Sequence, residues 1–194
     1  MLFLDLVSFT QLASSVSAAE LIDIVSTVFG ALDRITVHCG LLKIKTLGDG
    51  YMATCGIPDW RGDHVDACLR AAAMFNKTLE QYAAVSRHGL KARVGINSGP
   101  LVSGVIGATQ LTFDVWGDTV NVASRLEQSA PVGGVCISAT TKRILETTSA
   151  QQYAFTSLGR KPVKGKGEME LFSVELPALS AHDLRALNGA VDES

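Results

Sequence analysis

Asp5 and Asp49 are the first residues in this chain whose types and places could do chemistry together. Asp5 closes the apolar run Leu2-Phe3-Leu4, and Asp49 sits in Gly48-Asp49-Gly50 between two apolar runs. Asp-Gly between β-like runs is a hairpin signal. A carboxylate at a ribbon tip stays solvated and can hold a cation. If strand one lies beside that ribbon, the two carboxylates converge. They repel each other unless a cation sits between them, and Mg2+ is commonly held by one or two carboxylates plus substrate phosphates. Spacing alone equally allows two exposed turn aspartates.

Asn121 and Arg125 form the second group. They are four residues apart on an expected helix and so share a face. A guanidinium beside a carboxamide suits a ribose-phosphate, although a surface Arg and a near-cap Asn give the same pattern. The third group is 160–167, where Arg160, Lys161, Lys164 and Lys166 lie among Pro162, Gly165 and Gly167. Such a loop can cradle a polyphosphate or remain a solvated basic loop. GxxxxGK[ST], GxGxxG after a strand, HExxH and GxSxG are all missing, so P-loop, dinucleotide, zinc-protease and serine-hydrolase readings lose support.

The elements that must position these groups follow from periodicity. Residues 1–4 read as a short strand, and Ser8-Phe9-Thr10 turns the chain. Ser17-x-x-Glu20 is a capping box ahead of Leu21, Ile24, Val25, Val28, Leu32 and Ile35 at helical spacing. Gly40 ends that helix, and the ribbon 41–54 follows. In its first strand simple alternation puts Lys43, Lys45 and Leu47 on one face. Residues 57–62 read as a loop. Asp63 caps a second helix burying Val65, Leu69, Ala72, Phe75 and Leu79.

Ala92, Val94 and Ile96 alternate as a strand. The segment 104–107 reads as a turn before a strand at 110–116. A helix then runs from 117 to about 128. A strand at 135–137, a helix at 140–147, a strand at 153–158, the basic loop 159–167 and a last strand near 170–174 complete the order. Residues 178–190 read as a terminal helix or a tail. The expected fold is α+β, a ferredoxin-like βαββαβ arrangement with added C-terminal strands. Its sheet is mainly antiparallel, with helices on one face and the other face free for ligand or partner.

The bulk properties agree. The chain has 194 residues, enough for one domain with a real core. It is 47% hydrophobic and 19% charged, which fits a globular protein. Its mean hydropathy of +0.24 reads as buried subunit surface. A net charge of −2 sets nucleic-acid binding aside. No apolar run approaches the roughly 20 residues of a membrane span, and a cytoplasmic location is expected. Cys39, Cys55, Cys68 and Cys136 have no ligand spacing and read as reduced thiols. His38, His64, His88 and His182 are scattered. The abrupt opening on a core strand reads as a piece cut from a longer protein with an upstream regulatory or membrane domain.

Taken together, Phe3-Leu4-Asp5-Leu6-Val7-Ser8-Phe9-Thr10, Lys43-Ile44-Lys45-Thr46-Leu47-Gly48-Asp49-Gly50-Tyr51-Met52-Ala53, Phe113-Asp114-Val115-Trp116-Gly117-Asp118-Thr119-Val120-Asn121-Val122-Ala123-Ser124-Arg125 and Val163-Lys164-Gly165-Lys166-Gly167 resemble the class III nucleotidyl cyclase catalytic domain. The resemblance covers 1–177 and leaves 178–194 as a tail or helix. It implies that Asp5 and Asp49 bind two divalent ions, Mg2+ or Mn2+, in each site. Lys45 and Asp114 read the purine, Asn121 orients the ribose, and Arg125 meets the transition state. Lys164 meets the outer phosphates, with Lys166 a close rival. The turn from Leu6 through Phe9 to Thr10 offers backbone amides to the triphosphate, with Ser8 where the family usually has Gly.

The resemblance further implies attack of the ribose 3′-oxygen on the α-phosphorus, with pyrophosphate leaving. It implies a homodimer with two composite sites, one chain supplying the aspartates and the other Lys45, Asp114, Asn121 and Arg125. A Lys donor and an Asp acceptor match the acceptor and donor edge of adenine, so ATP and cyclic AMP are expected. The family's guanylyl members resemble Glu and Cys there. The alternatives are a guanylyl cyclase, a cyclic-dinucleotide synthase, whose GGDEF-like signature is missing, and a catalytically silent nucleotide-binding or dimerisation module. The retained aspartates and Arg125 speak against the last.

Overall fold

The computed structural model describes residues 1–85, 89–150 and 152–189. Its elements run β1 (Leu2–Val7), α1 (Phe9–Ser15), α2 (Ala18–His38), β2 (Leu42–Leu47), β3 (Gly50–Thr54), α3 (His64–Val85) and β4 (Lys91–Ile96). Then come β5 (Val102–Ile106), β6 (Thr112–Trp116), α4 (Asp118–Ser129), β7 (Val135–Ser138), α5 (Ala139–Thr148), β8 (Phe155–Val163), β9 (Gly167–Val174) and α6 (Ala181–Gly189). Seven strands form one sheet in the order β2-β3-β1-β4-β7-β9-β8. Only the β4–β7 pair is parallel. The first four strands reproduce the expected ferredoxin-like core.

Local chemistry sets the helix ends. The Ser17 hydroxyl accepts from the Glu20 amide at 3.2 Å, as the capping box requires. At the other end Gly40, at φ 71°, lets its own amide reach the Val37 carbonyl and the Leu41 amide reach Thr36. That pair of bonds is a Schellman stop. Ile24, Val28, Leu32 and Ile35 are buried, as the stripe requires, and all five inward positions expected of α3 are buried too.

Alternation along β1 separates two apolar layers. Leu2, Leu4 and Leu6 enter the main core with α2, α3, Leu145 of α5 and Leu187 of α6. Met1 and Phe3 face the other way and join Met52, Val115, Val120 and Ala123. The expectation of helices on one face therefore holds for α2, α3, α5 and α6. It does not hold for α4, which lies on the opposite face. Gly95 makes this possible: a Cβ there would lie 2.2 Å from the Glu127 amide nitrogen and 2.4 Å from the Ala123 carbonyl oxygen. At that point the α4 backbone rests directly on β4.

Three segments differ from the sequence reading. Residues 9–15 form a short helix after the Ser8 turn. Residues 102–106 are a strand, not a lead-in turn; β5 pairs with β6 as a separate ribbon. The basic segment is mostly hairpin, because β8 runs through Arg160, Lys161 and Pro162 and pairs Val163 with Gly167. Only 164–166 remain as its turn. In the C-terminal segment 181–189 are helical, and 190–194 lie outside the described residues, as does His88. No helix among the described residues is long and apolar enough to cross a membrane. The four cysteines are free, three of them buried.

Candidate active site

The ribbon that carries Asp49 and Lys45 is irregular where it matters. Its turn is Gly48-Asp49, closed by Leu47 opposite Gly50, with Gly48 at φ 64°. Asp49 therefore sits at the tip, while Gly50 already belongs to β3. A β-bulge lies in β2: Lys43 pairs with Ala53, yet Lys45 pairs with Met52. Ala53 belongs to the main core and Met52 to the second layer, so Lys43 and Lys45 face opposite sides. This corrects the expectation that they share a face. The extra residue resets the alternation. Lys43 turns toward α2 and bonds Asp33 at 2.7 Å. Lys45 turns to the other face and meets Asp114 of β6 at 2.5 Å.

Lys45 and Asp114 are bonded directly to each other. Asp114 also accepts from the Val115 amide at 2.9 Å. The hydrogen bond from Lys45, followed by this amide, holds the Asp114 carboxyl below its usual range against partial burial. Lys45 keeps further N–H donors and Asp114 further lone pairs for a ligand.

Asp5 and Asp49 form a second cluster. Asp5 stands opposite Gly50 on one side and opposite Arg93 on the other. The Leu6 amide donates to the Asp49 carbonyl at 3.3 Å, tying the tip to β1. Burial pushes the Asp5 carboxyl up, the Asp49 charge adds to this, and Arg93 opposes it. Two hard oxygen donors in mutual repulsion fit a divalent cation. Among the described residues no group of three or more His, Cys, Asp or Glu side chains is arranged to hold a metal, so the phosphates of a substrate would have to complete the shell.

Two members of this cluster escaped the sequence reading. Arg93 places a guanidinium beside Asp5, and its buried Nε has no partner. The available signal was a second cation, beside Lys91, on the Gly95 face of β4. Glu127 reaches the cluster from α4. Burial raises its carboxyl to about 7, with Asp5 and Asp49 also raising it and Arg93 lowering it. Nothing in its sequence neighbourhood marks it.

Asn121 is exposed and Arg125 half-buried on α4. Glu127 faces Asp5 and Asp49; Arg125, two residues earlier, points about 200° around the helix. No hydrogen bond or ion pair among the described residues joins the Lys45–Asp114 pair to the Asp5–Asp49 cluster. Lys166 bonds Asp118 at 2.7 Å, while Lys164 is exposed and makes no ion pair among the described residues.

The turn at Ser8 is strained. Ser8 has φ 65° and ψ 20°, the one positive φ outside glycine among the described residues. Phe9 and Thr10 follow it, and their amides have no intrahelical acceptor. Leu6 departs from the expected role, because its amide is taken by Asp49 and its side chain is in the core. His38, His64 and His182 bond or stack elsewhere.

These clusters sit in a sequence whose residues 1–176 match the family described as the adenylate and guanylate cyclase catalytic domain. The chain belongs to that family. The cyclase domain is 36% identical over 168 residues to an adenylate cyclase of Mycobacterium tuberculosis, covering 87% of this chain and 37% of that protein. It is 33% identical over 176 residues to the receptor-type guanylate cyclase gcy-5 of Caenorhabditis elegans, covering 89% of this chain and 16% of that one. The cyclase domain thus spans well under half of either relative. Its fold matches the guanylate cyclase domain of RhGC from Catenaria anguillulae, solved with GTP, at a TM-score of 0.82 and 29% identity, over 91% of this chain and 95% of that one. Cyclases of both purines are among its relatives.

Proposed function

We propose that this domain is an adenylyl cyclase that converts ATP to 3′,5′-cyclic AMP and pyrophosphate, at sites shared by two copies of the chain. The observation that carries the choice of purine is the Lys45–Asp114 pair. Lys45 donates to adenine N1, and Asp114 accepts from the 6-amino group. Guanine presents the reverse pattern and would leave both groups unmatched, at roughly 1–3 kcal/mol each.

Asn121 orients the ribose, so that its 3′-oxygen lies in line with the α-phosphorus. Arg125 offsets the charge growing on the α-phosphoryl oxygens. Arg93 and the amides of Phe9 and Thr10 face the triphosphate, and Lys164 meets its outer end. Two divalent ions, Mg2+ or Mn2+, held with Asp5 and Asp49, supply the charge that eases loss of the 3′-hydroxyl proton and screens the phosphates. The protein's own contribution is positioning and preorganised charge.

A site built from two chains is supported by the orientation of α4. Arg125 points away from the aspartates of its own chain, so a two-fold partner is needed to bring the halves together. The β5–β6 ribbon supports the same reading, since Val102, Val105, Ile106, Leu111, Phe113 and Trp116 are exposed there. Contiguous exposed apolar surface marks an interaction site.

The test is turnover of ATP and GTP by the purified chain, with Mg2+ and with Mn2+. Cyclic AMP from ATP is expected, with little product from GTP. Cyclic GMP alone would overturn the purine assignment. No cyclic product from a demonstrated dimer would overturn the activity itself.

A further inference from the structure

We propose that Asp118 is a positioning residue that holds Lys166, and through it fixes the β8–β9 hairpin so that Lys164 faces the outer phosphates; this rests on the cyclase reading above. The hairpin tip has little else to hold it. Gly165 and Gly167 have φ of 81° and 71°, with nothing within 4 Å of an added Cβ. The tip's own backbone bond runs from the Lys166 amide to the Val163 carbonyl at 2.8 Å. The 2.7 Å contact between Lys166 Nζ and Asp118 Oδ2 is the one ion pair that leaves residues 163–167 for another element, among the described residues.

The anchor point is well placed. Asp118 is the first residue of α4. Asn121 lies three residues on and Arg125 seven residues on, so all three project to one side of the helix. Two turns of helix, about 10 Å, separate the Lys166 anchor from Arg125. A nucleotide triphosphate extends over a comparable distance from its ribose. The tether therefore references the lysine at the outer phosphates to the helix that handles the ribose and α-phosphate. It also divides the labour of two neighbouring lysines: Lys166 is committed to Asp118, and Lys164 is left exposed for the ligand.

An exposed ion pair stabilises a fold by little, so the effect belongs in ligand positioning. Asp118→Asn and Lys166→Met should each raise KM for ATP about threefold, with kcat nearly unchanged. The double variant should be no worse than either. Adding Asp118→Asn to Lys164→Ala should change nothing further, because the route through Lys164 is already gone. The exchanged pair, Asp118→Lys with Lys166→Asp, should recover most of the loss. Independently of turnover, trypsin should cut after Lys164 faster in Asp118→Asn than in the wild type.

A wild type that makes no cyclic product defeats the cyclase reading, and the tryptic comparison then judges the tether alone. An unchanged cleavage rate together with unchanged KM in Asp118→Asn would overturn the tether. So would a full additive loss on top of Lys164→Ala. A defect in Lys166→Met without one in Asp118→Asn would make Lys166 itself the phosphate contact, which also defeats it.

Discussion

Lys45 Nζ and Asp114 Oδ2 lie 2.5 Å apart although 69 residues separate them in the chain. The pair joins β2 of the main sheet to β6 of the separate ribbon. A donor and an acceptor held side by side are complementary to a ligand edge that offers one acceptor and one donor.

Exchanging this pair should exchange the substrate. Lys45→Glu with Asp114→Cys should reverse the preference from ATP to GTP. Lys45→Glu alone leaves two acidic groups facing each other and should lower activity on ATP by roughly 10–100-fold, as one or two unsatisfied polar groups would. Chromatography of the cyclic products checks both. Retained ATP preference in the double variant would show that the purine is read elsewhere.

Mixing inactive partners should restore activity. Asp5→Ala and Arg125→Ala homodimers should each be inactive. A mixed dimer has one site with both defects and one with neither, so about a quarter of wild-type turnover is expected from an equal mixture if only those repaired sites work. A mixture that stays silent, with mixed dimers demonstrated by tagged pull-down, would place all groups of one site on one chain.

Glu127 gives the fold a pH dependence. Its carboxyl is raised from 4.5 to about 7, so the protonated form suits the folded state. That contribution is complete below 4.5 and is lost as pH rises through 7. Glu127→Gln should therefore match the wild type near pH 4 and be the more stable near pH 8. About 1 kcal/mol is expected in the absence of divalent ions, after discounting for partial solvent screening. Urea unfolding at the two pH values checks the sign; a larger gain at pH 4 would contradict it.

Ser8→Gly should stabilise the domain. A left-handed residue with a side chain costs roughly 1–2 kcal/mol, and part of that gain returns as unfolded-chain entropy. The net expectation is about 0.5–1 kcal/mol, read as a higher urea midpoint with an unchanged slope. A lower midpoint would mean that the serine hydroxyl stabilises the turn.

The sheet and both long helices of the main core were legible because their apolar periods are clean. Ile24, Val28, Leu32 and Ile35 announce one face of α2, and Ala92, Val94 and Ile96 announce one face of β4. Asp49 was legible because Gly-Asp-Gly between apolar runs defines a tip. The facing of Lys45 was not, since a bulge leaves no mark in a run of alternating residues and yet inverts everything beyond it. β5 was hidden by Gly104, which reads as a turn residue but pairs with Asp114. Arg93 and Glu127 gain their meaning only from the strand and helix packed beside Asp5, which is information that pairing supplies and local sequence does not. The placement of α4 on the second face depends on Gly95, a single missing side chain in a strand that otherwise promises nothing unusual.

That missing side chain also sets how the domain can move. At Gly95 helix backbone meets strand backbone, so α4 cannot slide past that point of β4 without lifting off it. That contact couples the helix carrying Arg125 to the sheet carrying Asp5 within one chain. If, as proposed, a two-fold dimer assigns them to different sites, a rotation of one chain against the other would open or close both sites in step. A signal arriving from outside the domain would need to deliver only a twist.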